Sequence, residues 1–180
     1  MQTFTIVVQK VGFWGPPTAT IDWCETNYQW SYYVAELWNT ISNAIMLISG
    51  LMVCYIARKY CMELRFFVLG LSFLLVALGS AAFHGTLLFI PQLMDELPMC
   101  YAQSVFLFIW FEMYTDSVQR KWLAPFLVVW CIFLTYILFM KIAPQLFQII
   151  FATMLITGIK LIQIYYNVLS CFFLKIAIPK

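Results

Sequence analysis

Three side chains in one apolar stretch have the types and spacing to do chemistry together. Residues 79–99 read GSAAFHGTLLFIPQLMDELPM and hold Ser80, His84 and Asp95, with His84 the only histidine of the 180 residues. Ser80 and His84 stand four apart, so on a helix they share one face. Asp95 follows a short connection broken by Pro91, where it would serve as N-cap of a following helix with Pro98 in its first turn. Ionisable groups in a membrane segment are costly, which by default makes each of them a functional-site hypothesis. A neutral imidazole ligates zinc, and zinc lowers the pKa of a bound water to about 7. A carboxylate positions or deprotonates such a water, and a hydroxyl steadies a developing oxyanion. The set points to metal-assisted hydrolysis. The plainer alternatives are a histidine bonded to a neighbouring helix and a serine bonded back to its own helix.

A second group lies upstream. Asp22, Glu25, Asn27 and Glu36 are oxygen donors grouped around one turn and one helix start. Calcium takes six to eight oxygens and accepts backbone carbonyls, so Trp23 could add its main-chain oxygen. The spacing is not that of an EF-hand loop. Solvated loop residues and helix caps are the competing explanation.

The elements that must carry these groups follow from composition. The chain is 64% hydrophobic and 10% charged, against roughly a quarter charged in soluble domains, so it belongs in a bilayer. A dispersed net charge of +2, with no basic cluster among aromatics, argues against a nucleic-acid partner. There is no glycine-rich phosphate loop and no repeat. The six cysteines form no CxxC pair. Cys54, Cys100, Cys131 and Cys171 fall in apolar runs as small hydrophobes, and Cys24 is the candidate for a disulfide, with no partner indicated.

Residues 1–35 read as an extramembrane arm, because the early apolar run FTIVV is too short for a cleaved signal. Trp14, Trp23, Trp30 and Trp38 suit an interfacial aromatic belt. Spanning helices are predicted over about Glu36–Ile56, Phe66–Leu88, Asp95–Met113, Trp122–Met140 and Gln145–Tyr166, with a polar loop at Tyr114–Lys121. Glu36, Asn39, Thr40 and Asn43 fall on one side of the first helix and must pack inward. The domains are then the arm, a transmembrane domain at 36–166 and a short apolar tail at 167–180. Arg58, Lys59, Arg65, Arg120, Lys121, Lys175 and Lys180 fall on one side, placing the N-terminus in the lumen and the C-terminus in the cytosol.

The segments GFWGPPTATIDWCETNY, AELWNTISNAIM, GSAAFHGTL and LMDELPM resemble the alkaline ceramidase family, closest to its type 3 members, from about Gly12 to about Tyr166. The resemblance implies an all-α integral membrane protein, about five transmembrane helices of a seven-helix bundle, in the endoplasmic reticulum and Golgi. It implies hydrolysis of the N-acyl bond of ceramide to sphingosine and a fatty acid. It implies His84 as one ligand of a catalytic Zn2+, Ser80 and Asp95 in the catalytic centre, and a Ca2+ site built from Asp22, Trp23, Glu25, Asn27 and Glu36. The family also takes two zinc ligands from a later His-x-x-x-His motif, which this sequence lacks. The expectation is therefore a C-terminally truncated ceramidase whose activity and membrane stability are impaired. The alternative is a non-catalytic sphingolipid-binding or regulatory form that associates with the full-length enzyme. A related zinc hydrolase or receptor of the wider superfamily fits the arm less well.

Overall fold

The computed structural model describes residues 10–114, 117–142 and 146–177, and within them the secondary structure is helical, with no strand and one isolated bridge at Gly12–Gly15. The helices are α1 (Leu37–Lys59), α2 (Leu64–Thr86), α3 (Phe89–Tyr114), α4 (Ser117–Phe139) and α5 (Leu146–Ala177). The chain divides into two compact units, Met1–Pro144 and Gln145–Lys180. In the first, α1 packs on α2, α2 on α3 and α3 on α4. By length and apolarity α1, α2, Lys121–Phe139 of α4 and Leu146–Ile164 of α5 are able to cross a membrane. Helix α3, at 26 residues, is long enough as well. Its polar residues Gln92, Asp95, Glu96 and Ser104 are buried inside the bundle rather than turned to lipid.

The start of α1 is built from a distance. Glu36 occupies the N-cap position without a side-chain cap bond. Glu25 supplies the cap instead, its two carboxylate oxygens accepting the Trp38 and Asn39 N–H groups at 2.9 Å each. Arg58 and Lys59 in the last turn suit the negative end of the helix dipole. Along α1 the buried positions are Asn43, Gly50 and Ala57, spaced by sevens beneath Glu36. Added side chains at Gly50 or Gly70 would each meet the other's carbonyl, at 3.1 and 3.2 Å, so α1 and α2 approach backbone to backbone there.

Helix α2 ends at Leu87, which takes the left-handed conformation. Helix α3 resumes at Phe89, earlier than the proline pattern predicts. Pro91 is the third residue of α3, where no N–H is needed. Asp95 therefore lies inside the helix rather than at its N-cap, and Pro98 is an interior proline. Each proline frees the carbonyl four residues before it. For Pro91 that is Leu87, whose oxygen accepts the Thr18 and Ala19 N–H groups of the arm at 3.1 Å. For Pro98 it is Met94, against whose carbonyl Gly79 of α2 lies so closely that no Cβ fits.

The loop expected at 114–121 is mostly helix, since α4 begins at Ser117. Tyr101 and Thr135 join α3 to α4 through their hydroxyls at 2.5 Å, and the Cys131 thiol reaches Ser104 Oγ at 3.6 Å. Helix α5 runs well past the predicted end at Tyr166. Its predicted first residue, Gln145, and the chain ends at 1–9 and 178–180 lie outside the described residues. Cys24 is exposed, and it forms no disulfide; nor do Cys54, Cys61, Cys100 and Cys131.

Two glycines on one helix give opposite expectations. Gly79→Val must push α3 away and should cost about 1–3 kcal/mol. Gly85→Ala has open space and should be neutral or stabilising. Thermal unfolding of the two variants in detergent, beside the parent, measures both.

Candidate functional site

The end of α2 is where the polar groups gather. Its last carbonyls are capped by the chain leading into α1, with Ala35 N–H donating to Gly85 O at 3.0 Å and Glu36 N–H to His84 O at 2.9 Å. The same two residues meet again through their side chains, Glu36 Oε2 bonding His84 Nδ1. Glu36 is fully buried and His84 is 9% exposed. With the carboxylate as acceptor, the ring donates from Nδ1, and Nε2 is left to face another partner. Asn39 Nδ2 donates to the same Glu36 oxygen at 3.2 Å. The Phe83 and Trp23 rings flank the imidazole at centroid distances of 4.9 and 6.2 Å.

Ser80, one turn back on α2, is buried beside Asp95 of α3. The serine hydroxyl reaches that carboxylate as a donor, and the turn of α2 that carries Ser80 and His84 lies against α3 at Asp95. The predicted trio therefore sits in one place, brought together by the Gly79–Met94 approach. What it can do chemically is hold a carbonyl oxygen, move a proton and offer one imidazole nitrogen. Two neighbours were not singled out from the sequence, Gln92 and Glu96. Both are buried, and Gln92 Nε2 donates to Glu96 Oε1 at 2.7 Å. Their signal was available, since a carboxylate and an amide four apart in an apolar segment mark an inward face.

The oxygen donors of the arm lie at the same end of the bundle. Asn27 Nδ2 donates to the two Asp22 oxygens at 3.2 and 3.3 Å. Glu25 caps α1, and Asn39, whose N–H it accepts, is the residue that donates to Glu36. Two oxygens of this group, Asn27 Oδ1 and Glu36 Oε1, are buried without any hydrogen-bond partner. Leaving such acceptors unmatched costs about 1–3 kcal/mol each, and a hard cation would satisfy them. Among the described residues, however, no three His, Cys, Asp or Glu side chains converge closely enough to hold a metal ion. Donors of the right kind for calcium are thus present, with amide and carbonyl oxygens needed to complete a shell. For zinc the residues do not suffice, because His84 is the one imidazole and a catalytic zinc ordinarily has three protein ligands.

A cavity of about 440 Å³ between α3 and α4 is lined by Tyr101, Ser104, Phe108 and Cys131 among others, and includes none of the trio. Glu36→Ala removes the partner of a buried imidazole and should lower stability by about 1–3 kcal/mol. Chemical unfolding monitored by tryptophan fluorescence would show it.

A family model described as Ceramidase matches residues 15–171. Alkaline ceramidase 3 of Mus musculus is 36% identical over 159 residues, covering 88% of this chain and 59% of that protein. Alkaline ceramidase YPC1 of Saccharomyces cerevisiae is 47% identical over 94 residues, 52% of this chain and 30% of that protein. An alkaline ceramidase of Arabidopsis thaliana is 39% identical over 118 residues, 66% of this chain and 46% of that protein. The chain thus spans less than two thirds of each of these relatives. On the family match across most of its length, the chain belongs to the ceramidase family.

Proposed function

We propose that this chain carries the hydrolytic centre of an alkaline ceramidase, which cleaves the N-acyl bond of ceramide to sphingosine and a fatty acid. The observation that supports it best is the buried meeting of Ser80, His84 and Asp95 in a chain of that family. In this reading Asp95 takes a proton from the attacking water and returns it to the leaving nitrogen. On substrate binding the Ser80 hydroxyl would turn from Asp95 to the carbonyl oxygen and steady the charge that develops there. One water is consumed, a C–O bond forms and the C–N bond breaks. His84, oriented by Glu36, would be one ligand of a Zn2+ ion through Nε2, and the ion would supply Lewis-acid polarisation. The zinc shell is not completed by these residues, so turnover by the 180-residue chain is impaired.

The incomplete ligand set also supports a second reading, a sphingolipid-binding or regulatory protein that associates with a full-length ceramidase. The compartment proposed is the endoplasmic reticulum and Golgi membrane. The arm end of the bundle lies opposite the Arg58, Lys59 and Arg65 turn, and the positive-inside rule supports an arm in the lumen with that turn in the cytosol.

The test is zinc content and ceramide turnover of the purified chain. Substoichiometric zinc and weak fatty-acid release that disappears in Asp95→Asn are expected. Turnover that survives Asp95→Asn contradicts the assigned role, and stoichiometric zinc with robust turnover lost in His84→Ala contradicts impairment. Stable capture by a full-length ceramidase, with no turnover, favours the second reading.

Calcium is proposed at the arm, held by Asp22, Asn27, Glu36, Glu25 and the Trp23 carbonyl, where it would fix the arm against α1. Glu36→Gln and Asn27→Leu should each weaken calcium binding by about tenfold or more, measured by titration calorimetry. Unchanged affinity in both would place any calcium elsewhere.

A further inference from the structure

The part of α3 that carries Asp95 is weakly held by its own backbone. Pro91 and Pro98 bracket it; Pro91 sits in the first turn and costs no rung, whereas Pro98 deletes the bond to the Met94 carbonyl. The arm ties down the start of this segment. Thr18 and Ala19 donate to the Leu87 carbonyl at 3.1 Å, and Phe89 N–H donates to Thr18 Oγ1 at 3.0 Å. One turn further on, Gln92 joins the arm to α3 through every polar hydrogen and the oxygen of its amide. Its Oε1 accepts the Thr20 N–H at 2.8 Å, and its Nε2 donates to Thr20 Oγ1 and to Glu96 Oε1 at 2.7 Å each. At 1% exposure the amide is fully satisfied in one orientation only. Flipped, it would turn its NH2 against the Thr20 N–H and its oxygen against the Glu96 carboxylate.

We propose that Gln92 is a positioning residue, which straps the proline-bracketed half of α3 to the arm at Thr20 and thereby holds Asp95 against Ser80 and His84. The inference rests on the functional reading of the trio but uses a readout that does not need turnover. Gln92 lies three residues before Asp95 on α3, and its bonds run to Thr20 and Glu96, so its influence on the trio passes through the placement of Asp95. Gln92→Glu keeps the size and exchanges the donor that faces Glu96 for a like charge. Thr20→Val removes a single hydroxyl and guards against outright misfolding.

Because His84 is the only histidine, histidine-selective isotope labelling of the full chain in detergent gives ring resonances from one site. Asp95→Asn defines how those resonances respond when the carboxylate is lost, and Ile132→Val on α4 is the control. Gln92→Glu and Thr20→Val should each move the His84 ring signals toward the Asp95→Asn position, while Ile132→Val leaves them in place. The proposal is overturned if both variants fold and leave the ring signals at their parent positions, or if Ile132→Val shifts them equally. A parent chain that binds no zinc and cleaves no ceramide would count against the functional reading and leave this result standing.

Discussion

The double link between Glu36 and His84 is the constraint on which the rest of the site depends. One residue satisfies the other's backbone carbonyl and its ring nitrogen together. The first bond caps α2 while α1 begins, and the second fixes the imidazole's tautomer and direction. A carboxylate with no exposure tolerates such a position only because both the imidazole and Asn39 answer it. Loss of either bond would leave a buried polar group facing nothing, so the ends of the two helices and the orientation of the ring are set together.

The arm extends the same logic from one pair to the whole end of the bundle. A helix end in or near a membrane must have its carbonyls met, and the arm's N–H groups meet those of α2 and the two-residue link to α3. Buried behind these bonds, Tyr28, Ala35, Phe83 and Leu87 form a small apolar core. Glu25 does the complementary task at α1, capping the N–H groups that the N-cap residue itself leaves open. The arm is therefore structural whatever it binds, and the oxygens it leaves unmatched, Asn27 Oδ1 and Glu36 Oε1, are the ones with chemistry to spare.

Much of this was legible in the residues. Helical spacing placed Ser80 with His84, and the inward set on α1 was recognisable because no lipid-facing surface tolerates two asparagines and a glutamate. The start of α3 was not legible. Pro91 and Pro98 look like breaks in a linear reading, yet one sits in a first turn where its missing N–H is harmless. The other is tolerated in mid-helix, where Gly79 of α2 lies against the carbonyl it frees. Nor could spacing reveal that Glu36 faces His84, 48 residues away. That pairing arises from the antiparallel packing of α1 and α2, which no local pattern encodes. Glu96 and Gln92 were legible in principle and overshadowed by Asp95.

The most direct measurement of the central claim is the nitrogen chemical-shift pattern of the His84 ring in the unmodified chain at neutral pH. The account predicts a proton fixed on Nδ1 and strongly hydrogen-bonded to Glu36. A ring protonated at Nε2 alone, or one averaging freely between tautomers, would show that Glu36 does not hold the imidazole and would contradict the account at its root.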